Sequence, residues 1–535
     1  MVIYKGWNYM VSRILMMFVL LVTLASCGTP YLAPPQKGIR GYSGSNNSYI
    51  NLVAEKNREL LDEYQSEKSM YPNNVKNGQP DNEKDYQPVW GLALSGGGLR
   101  SAAFCIGAMK ALYDKDYLGK LDIISSVSGG GYASYWLLTR NRMSPPKTGF
   151  FGETAFGDKF FIENLYHLKS KGNFVKLHTM LLSLIKSDNA AFSSYEKAII
   201  DHFGNNISED TKLNDTKLMD NKAPYFILNT TLKAHPHSDT LSTAIEFTPR
   251  HMGNPEIGFH EWNKKDDALR LIEENDALRL SEALTISAAA VKFKLTREIE
   301  NRSSSFPGEK LLLSDGAHSE NLAAISLIRR GVKNIIIIDA EHDPDYLFPG
   351  YINLKRILRE MEIDLTVVDI DKYLKQGSDV KFNNYYKSAV FIGNAKTIPI
   401  KPNNIEKPLE ITIYYVKMSM PSGISKKIEN ETVVDQGKGL KKTNDAIYKR
   451  NKRKFRDLSS FPELDRPLLE QLFIHSVHFY GKWLNEKSVW RHFGYTFPHT
   501  PTADQSYYTD QLDAFVGLGY LETNELPDLP EKTKE

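Results

Sequence analysis

The stretch Leu121–Trp136, LDIISSVSGGGYASYW, decides the fold of this chain. Its apolar start, with Ile123 and Ile124, predicts a buried strand, and the YASYWLL segment after the glycines predicts a helix packed on that strand. Ser128 falls at the turn between the two. A serine at a sharp strand-to-helix turn is the arrangement of a nucleophile elbow, because the turn lifts the hydroxyl out of the sheet. The start of the helix would also aim free N–H groups at an oxyanion formed there.

The usual sequence of such an elbow is G-x-S-x-G. This chain has Ser126-Val127-Ser128-Gly129-Gly130 instead, so a serine stands where the first glycine is usual. Clusters of serine and glycine also occur in ordinary turns. The motif alone therefore leaves both interpretations open, and the flanking sequence has to separate them.

A second strand–loop–helix pattern precedes the elbow. Residues 89–95, VWGLALS, predict a short strand, and the sequence GGGLRS follows directly at residues 96–101. A glycine loop at the start of a helix suits a negative charge. The last glycine of a dinucleotide fingerprint is missing, and so is the Gly-Lys-Ser/Thr ending of a phosphate loop. The remaining interpretation is an oxyanion hole made of glycine N–H groups, with Arg100 fixing the loop.

The third signal is the segment of residues 311–331, LLLSDGAHSENLAAISLIRRG. An apolar strand ends at Asp315, a helix is expected after it, and residues 332–339, VKNIIIID, predict another buried strand. This rhythm predicts a parallel sheet with helices on both faces. Since active sites in such sheets lie at the carboxyl ends of the strands, we expect the glycine loop, Ser128 and Asp315 to meet at one edge.

Three further segments have a clear pattern. Residues 224–233, PYFILNTTLK, predict a buried strand, and residues 281–292, SEALTISAAAVK, predict a helix of small residues. Residues 149–206 are aromatic-rich with helical patterns. They suit either helices of the core or a lid over an apolar cleft, and the sequence leaves that choice open.

The N-terminal residues 1–26 are predicted to be a signal peptide, with basic residues ahead of the apolar run Ile14–Ala25. The LASC sequence that ends at Cys27 resembles a bacterial lipobox, which implies cleavage before this cysteine and its lipidation. A plain signal peptide or an uncleaved anchor is the alternative. Gly28 after the cysteine implies a lipid anchor in the outer membrane of a bacterial cell envelope.

Composition adds little about partners. The 535 residues carry a formal net charge of +2, which gives no support to a nucleic-acid partner. If Cys27 is lipidated, the second cysteine, Cys105, has no disulfide partner, and its apolar context AAFCIGAMKAL predicts a buried side chain. We expect a polar tether at 27–88, a catalytic domain at 89–400 and a C-terminal extension packed on it at 401–535.

Taken in chain order, SGGGLRSAAFCIGAMKAL, SVSGGGYASYW and SDGAHSENL resemble the patatin-like phospholipases and the related cytosolic phospholipase A catalytic domain. The resemblance extends from about residue 89 to the end of the SDGAHSENL helix and is thinner after residue 402. It implies an α/β fold, a three-layer sandwich with a mainly parallel central sheet and a nucleophile elbow. Ser126 and Ala317 depart from the family pattern.

Carried over by position, the resemblance implies Ser128 as the nucleophile, Asp315 as its partner, and the N–H groups of Gly97 and Gly98 as oxyanion donors beside Arg100. The reaction would be hydrolysis of an acyl ester in a phospholipid or another lipid, without a metal or a cofactor. The ordinary pKa of an aspartate is about 3.9, so such a base must contact the hydroxyl directly or be partly desolvated.

Two other classes of function remain open. One is an α/β-hydrolase with a Ser–acid–His triad. Its candidate histidines are His475, His478, His492 and His499. The other is a non-catalytic envelope lipoprotein that binds lipid or protein.

Overall fold

The computed structural model describes most of the chain after residue 86 and a few residues before it. The described residues are 64, 67, 70–71, 75–76, 79–80, 87–141, 156–157, 161, 188–204, 211–215, 223–233, 243–254, 258–262, 269–271, 278–289, 297–301, 309–376, 381–397, 409–433, 466–488, 495–502, 507 and 509–530. The predicted signal peptide and Cys27 lie outside them, as does most of the tether.

Within these residues, thirteen strands form one mixed sheet and two short strands form a separate pair. In chain order the strands are β1 (Val75–Lys76), β2 (Gln79–Pro80), β3 (Trp90–Leu94), β4 (Ile123–Val127), β5 (Tyr225–Lys233), β6 (Thr243–Phe247), β7 (His251–Asn254), β8 (Gly258–Glu261), β9 (Leu269–Leu271), β10 (Arg297–Asn301), β11 (Glu309–Asp315), β12 (Asn334–Asp339), β13 (Ile363–Thr366), β14 (Val390–Thr397) and β15 (Glu410–Lys417). The central order β15-β12-β3-β4-β5 is parallel throughout, and the outer strands pair antiparallel.

Helices cover both faces of this sheet. They are α1 (Gly98–Asp114), α2 (Gly129–Asn141), α3 (Asp188–Phe203), α4 (Leu280–Ser287), α5 (Ile325–Arg329), α6 (Pro349–Glu360), α7 (Val368–Gln376), α8 (Phe382–Tyr385), α9 (Ser422–Val433), α10 (Arg466–Lys482) and α11 (Thr509–Thr523). Short 3₁₀ turns lie at Leu118–Lys120 and Gly316–His318, and a π turn lies at Trp483–Lys487.

The isoleucine run of β12 explains why there are three layers. Successive side chains of a strand point to opposite faces. Ile336 and Ile338 lie in one buried apolar cluster with residues of α1, α2 and α11, and Ile335 and Ile337 lie in a second cluster with residues of α5, α6 and α7. A run that is apolar at every position thus fills two cores. The predicted three-layer sandwich with a mainly parallel central sheet is confirmed.

The direction of β11 differs from the expected parallel arrangement. β4 pairs in parallel with the first part of β5, where Val127 lies opposite Asn229. β11 pairs antiparallel with the last part of β5, where Asp315 lies opposite Thr230. Because β6 pairs with residues 228–232 of β5, it occupies the other edge. β4 and β11 therefore share one edge of β5, with their carboxyl ends facing each other.

The C-terminal part is not a separate extension. β15 lies inside the sheet, paired with β12 and β14, so the expected boundary at residue 400 cuts through the central sheet. Helix α11 packs closely on α1. A Cβ atom on Gly519 of α11 would lie 2.0 Å from the carbonyl oxygen of Phe104, so the crossing needs a glycine there.

Part of the predicted tether also belongs to the fold. Glu67 and Tyr71 are buried, although the sequence around them is polar. The Glu67 carboxylate accepts hydrogen bonds from two nitrogens of the Arg330 guanidinium, at 2.7 and 3.0 Å. This buried ion pair fixes the segment near residue 67 to the end of α5 and corrects the expectation of a plain tether over residues 27–88.

No helix among the described residues is long and apolar enough to cross a membrane.

Candidate active site

Ser128 occupies the sharp turn between β4 and α2. Its φ is 49°, in the left-handed region that a residue with a side chain rarely adopts. Such a conformation costs about 1–3 kcal/mol and persists only where the surroundings enforce it. The Ser128 N–H donates to the Ser287 hydroxyl at 3.0 Å, and that hydroxyl donates to the carbonyl oxygen of Asn229 at 2.6 Å. These two bonds hold the strained turn in place.

The Ser128 hydroxyl meets the carboxylate of Asp315. Oγ donates to Oδ2 of Asp315 at 3.2 Å, and the two side chains are only 7% and 3% exposed. The other carboxylate oxygen, Oδ1, accepts the Ala317 N–H at 2.8 Å and so caps the 3₁₀ turn that follows. The sequence-predicted pair is thus in direct contact, and the departure at Ala317 leaves the cap intact because only its backbone is used.

Ser126, which replaces the first elbow glycine, is accommodated within β4. Its hydroxyl donates to the carbonyl oxygen of Ile227 at 3.4 Å, and its side chain is buried. Gly129, directly after Ser128, is a glycine that the geometry requires. A Cβ atom on Gly129 would lie 2.2 Å from the carbonyl oxygen of Gly98. The elbow and the glycine loop therefore touch backbone to backbone.

The glycine loop presents the start of α1 beside Ser128. Gly97, with a φ of 139°, is the N-cap of α1, and no side chain caps the helix there. The Gly96 N–H is already used, since it donates to the carbonyl oxygen of Asn321 at 2.9 Å. An N-cap without a side chain leaves the first N–H groups of the helix available to a ligand. This placement suits Gly97 and Gly98 as oxyanion donors.

Arg100 ties the glycine loop to two distant parts of the chain. The side chain is fully buried. Its guanidinium donates to the carbonyl oxygen of Ala340 at 3.2 Å, to that of Thr500, and to the hydroxyl of Thr502 at 3.2 Å. Burial lowers the pKa of Arg100 from its ordinary value. The three acceptors show that Arg100 is used inside the protein as a brace of the loop.

Asn229 is a site residue that the sequence analysis missed. Its amide nitrogen donates to the Ser125 hydroxyl at 2.8 Å and to the Ser126 carbonyl oxygen at 3.0 Å. Its amide oxygen accepts the Ser326 hydroxyl at 2.6 Å. Asn229 therefore links β4, β5 and α5 directly beneath the elbow. An asparagine inside the apolar run PYFILNTTLK was the available signal, because a buried amide needs partners.

The described part of the aromatic-rich segment packs as core. Tyr195 of α3 hydrogen-bonds the hydroxyl of Tyr132 on α2, and the ring of Phe203 stacks on that of Tyr132 at 5.3 Å between centroids. Burial raises the pKa of Tyr195 to about 12, so its phenol stays neutral. Cys105 is buried as predicted, and burial raises the pKa of its thiol to about 12.

The histidines of the alternative triad have other surroundings. His475 and His478 lie on α10, which packs on α9 and α11. His499 is buried, with Nδ1 accepting the Asp343 N–H at 3.4 Å and its ring against Tyr346 at 5.0 Å. His492 lies outside the described residues. Among those described, no group of three or more His, Cys, Asp or Glu side chains is placed to hold a metal ion.

Residues 92–328 match the family model of the patatin-like phospholipases. This part of the chain contains the glycine loop, Ser128 and Asp315. The resemblance seen in the sequence is confirmed. Comparison with curated proteins finds no match.

Solved structures to which the chain is similar include human GIVD cytosolic phospholipase A2, with 11% identity over 89% of this chain and 65% of that chain and a TM-score of 0.45. The same human enzyme in complex with methyl gamma-linolenyl fluorophosphonate has 13% identity over 89% of this chain and 62% of that one, with a TM-score of 0.41. VipD from Legionella pneumophila has 11% identity over 84% and 94% of the two chains, with a TM-score of 0.21. The chain spans less than two thirds of the length of the human enzyme chains.

Proposed function

We propose that this protein hydrolyses acyl esters of lipids, with Ser128 as the nucleophile and Asp315 as the base. The observation that carries the proposal is the 3.2 Å hydrogen bond from Ser128 Oγ to Asp315 Oδ2 at a strained turn. The match of residues 92–328 to the family model of the patatin-like phospholipases supports a lipid acyl hydrolase. A serine hydroxyl is a weak nucleophile until a base accepts its proton, and the contact with Asp315 supplies that base.

In the first half of the reaction, Ser128 Oγ attacks the carbonyl carbon of the ester while its proton passes to Asp315 Oδ2. The carbonyl oxygen becomes an oxyanion, and the N–H groups of Gly97 and Gly98 donate to it. Each such donor contributes about 3 kcal/mol to the stability of the transition state. When the tetrahedral intermediate collapses, the bond to the alcohol breaks and Asp315 returns the proton to the departing oxygen.

In the second half, water attacks the acyl-serine and gives its proton to Asp315. The ester bond to Ser128 breaks, the fatty acid leaves, and Oγ recovers the proton. The same carboxylate thus acts as base and acid in both halves, which needs no histidine. Asp315 suits this use because its second oxygen is fixed by the Ala317 N–H, which keeps Oδ2 directed at the hydroxyl.

The experiment that tests this proposal compares purified wild type with Ser128→Ala and Asp315→Asn on a soluble short-chain ester and on mixed phospholipid vesicles. Ser134→Ala is the matched control, because its buried hydroxyl donates within α2, to the carbonyl oxygen of Gly130. We expect fatty acid release by wild type and the control, and none by the other two variants. A folded wild type that is inert on every ester would instead favour a non-catalytic lipid-binding protein.

The rival triad is tested by His499→Ala, His475→Ala and His478→Ala in the same assay. The dyad mechanism expects each variant to keep most of its activity as long as it folds. Loss of activity in one folded variant, with no change in substrate binding, would favour a Ser–acid–His mechanism.

The proposal includes a lipid anchor at Cys27 and a place in the bacterial cell envelope, based on the LASC sequence. Mass spectrometry of protein from a bacterial host should find diacylglycerol on Cys27. The Cys27→Ser variant should lose both this modification and the association with membranes. An unmodified N-terminal cysteine, or membrane association that survives the substitution, would exclude this anchor.

A further inference from the structure

Asn321 and Ser128 both lie close to Gly96. Its backbone carbonyl accepts the Gly96 N–H at 2.9 Å. A Cβ atom built on Gly96 would lie 2.1 Å from Asn321 Oδ1 and 3.4 Å from Ser128 Cβ. Gly96, which directly precedes the two proposed oxyanion donors, is therefore packed closely against both the Asn321 side chain and the elbow.

The Asn321 side chain is in turn held by Glu341, the second residue after β12. Asn321 Nδ2 donates to Glu341 Oε1 at 2.5 Å. The other oxygen of this carboxyl, Oε2, accepts the Gly350 N–H at the start of α6, at 2.8 Å. Glu341 is buried, so both oxygens are used within the protein. The carboxyl thus joins the loop after β12 to the loop that follows Asp315.

The segment that carries Asn321 also carries the proposed base. The 3₁₀ turn after Asp315 closes with N–H groups of Ser319 and Glu320 donating to the carbonyl oxygen of Gly316, both at 3.1 Å. The Glu320 carboxyl group then accepts three backbone N–H groups of the next turn, those of Leu322, Ala324 and Ile325. Residues 315–325 are thus tightly bonded internally. One short segment sets the positions of Asp315 and of the glycine loop relative to Ser128.

We propose that Asn321 and Glu341 are positioning residues, which hold Gly96 so that the N–H groups of Gly97 and Gly98 point at the oxyanion formed on Ser128. This inference rests on the proposed function. In the SDGAHSENL sequence, Asp315 is the proposed base, and Asn321 now also has a role. Neither residue takes a proton from the substrate, so both act through the glycine loop.

The surroundings of Glu341 make its hydrogen bond with Asn321 sensitive to pH. Burial and the nearby Asp339 raise the pKa of Glu341 to about 7, against the opposing effects of Lys417 and of the hydrogen bonds from Asn321 and Gly350. The other titratable groups near it are Arg100 on α1, Asp343 on the same loop, Tyr415 and Lys417 on β15, and His499. Lys417 is shared, since Nζ lies 2.9 Å from both Asp339 and Asp343.

An ionised carboxylate accepts a stronger hydrogen bond from an amide than a protonated carboxyl does. We therefore expect the hydrogen bond from Asn321 to Glu341 to be stronger above pH 7 than below it. The wild-type kcat should rise through an inflection near pH 7 that Glu341→Gln lacks, because an amide does not titrate there.

The test measures kcat and KM on a soluble short-chain ester for wild type, Asn321→Ala and Glu341→Gln. Asn353→Ala is the matched control, because Asn353 Nδ2 donates to the carbonyl oxygen of Ser319 at 2.7 Å, on the same segment but away from Gly96. We expect kcat to fall about 10- to 100-fold in the two variants with KM nearly unchanged, since a misplaced oxyanion donor affects the transition state alone. The control should stay within about twofold of wild type.

A second measurement is the rate at which a fluorophosphonate ester labels Ser128, which should fall in parallel with kcat because phosphonylation uses the same oxyanion donors. If wild type neither hydrolyses esters nor is labelled, the proposed function fails. If wild type is active and both variants keep its kcat and its pH profile, the positioning role alone is wrong. Should Asn321→Ala fail to fold, the near-isosteric Glu341→Gln decides the question by the same criteria.

Discussion

Asn229 and Thr230 are neighbours in β5, yet they pair with two different strands, Asn229 with Val127 of β4 and Thr230 with Asp315 of β11. The two strands approach each other end to end along the same edge of β5. The serine that follows β4 and the aspartate that ends β11 are therefore brought together by a single stretch of backbone. Because β5 is paired on both edges, the distance between Ser128 and Asp315 is set by a strand that neighbours hold on either side.

Two substitutions of Asp315 separate its chemical role from its structural role. Asp315→Asn keeps an oxygen that can accept the Ala317 N–H but removes the base, so we expect kcat to fall at least about 1000-fold with little change in stability. Asp315→Ala removes the cap as well, and its free energy of unfolding should be lower by about 1 kcal/mol. Urea denaturation beside ester hydrolysis checks both. Equal stability of the two variants would contradict the capping role.

The substitution Gly129→Ala should push the elbow and the glycine loop apart. The added Cβ would lie 2.2 Å from Gly98 O and 2.7 Å from Gly98 N, so one backbone has to move. We expect a loss of about 1–3 kcal/mol in the free energy of unfolding and a strong fall in kcat. Gly119→Ala is the control, because no described residue beyond its two chain neighbours has a heavy atom within 4 Å of its Cβ position. Wild-type activity in Gly129→Ala would mean that the loop does not take part in catalysis.

Replacing Arg100 tests its role as a brace. In Arg100→Met the carbonyl oxygens of Ala340 and Thr500 lose their donors, and buried acceptors without partners are costly. We expect a destabilisation of about 2–4 kcal/mol together with a fall in kcat. Thr502→Val removes only one of the three contacts and should cost about 1 kcal/mol. Urea denaturation ranks the two variants, and a larger effect in Thr502→Val would contradict this account.

The buried ion pair of Glu67 predicts how stability depends on acid. Burial opposes the ionisation of Glu67, but Arg330 and His251 outweigh this effect and lower its pKa. A carboxyl whose pKa is lowered in the folded state stabilises the protein above its unfolded pKa of about 4.5, and this stability is lost as the pH falls through the folded value.

Glu67→Gln should therefore lower the free energy of unfolding at pH 7 by about 3 kcal/mol and flatten its decline below pH 4.5. Glu360→Gln is the control, because its ion pair with Arg356 is exposed and should contribute less than about 0.5 kcal/mol. Denaturation curves from pH 3 to pH 7 compare the two. If the free energy of unfolding of Glu67→Gln fell as steeply with acid as that of wild type, the ion pair of Glu67 with Arg330 would not be the source of this pH dependence.

Local sequence patterns predicted much of the central sheet. The strand before Ser128, the strand that ends at Asp315 and the isoleucine strand β12 all have the expected extents to within a few residues. Each is an apolar run bounded by glycine or polar residues, and both the strand and its end are then decided by neighbours in sequence.

The pairing of these strands could not be derived in the same way. An apolar run buried on both faces carries no information about the direction of its partner, so β11 was expected to be parallel. The place of β15 beside β12 and the bonds of Arg100 to Thr500 and Thr502 join residues that are far apart in sequence. Glu67 was missed because its partner Arg330 lies 263 positions later.

The long-range contact between Arg100 and Thr500 bears on when activity can arise during synthesis of the chain. Arg100 leaves the ribosome 400 residues before Thr500, the acceptor of one of its bonds. A chain still in synthesis therefore contains the serine and the aspartate before it contains the contacts that hold the glycine loop. We therefore expect the proposed hydrolysis of lipid esters to begin only after Thr500 has been translated.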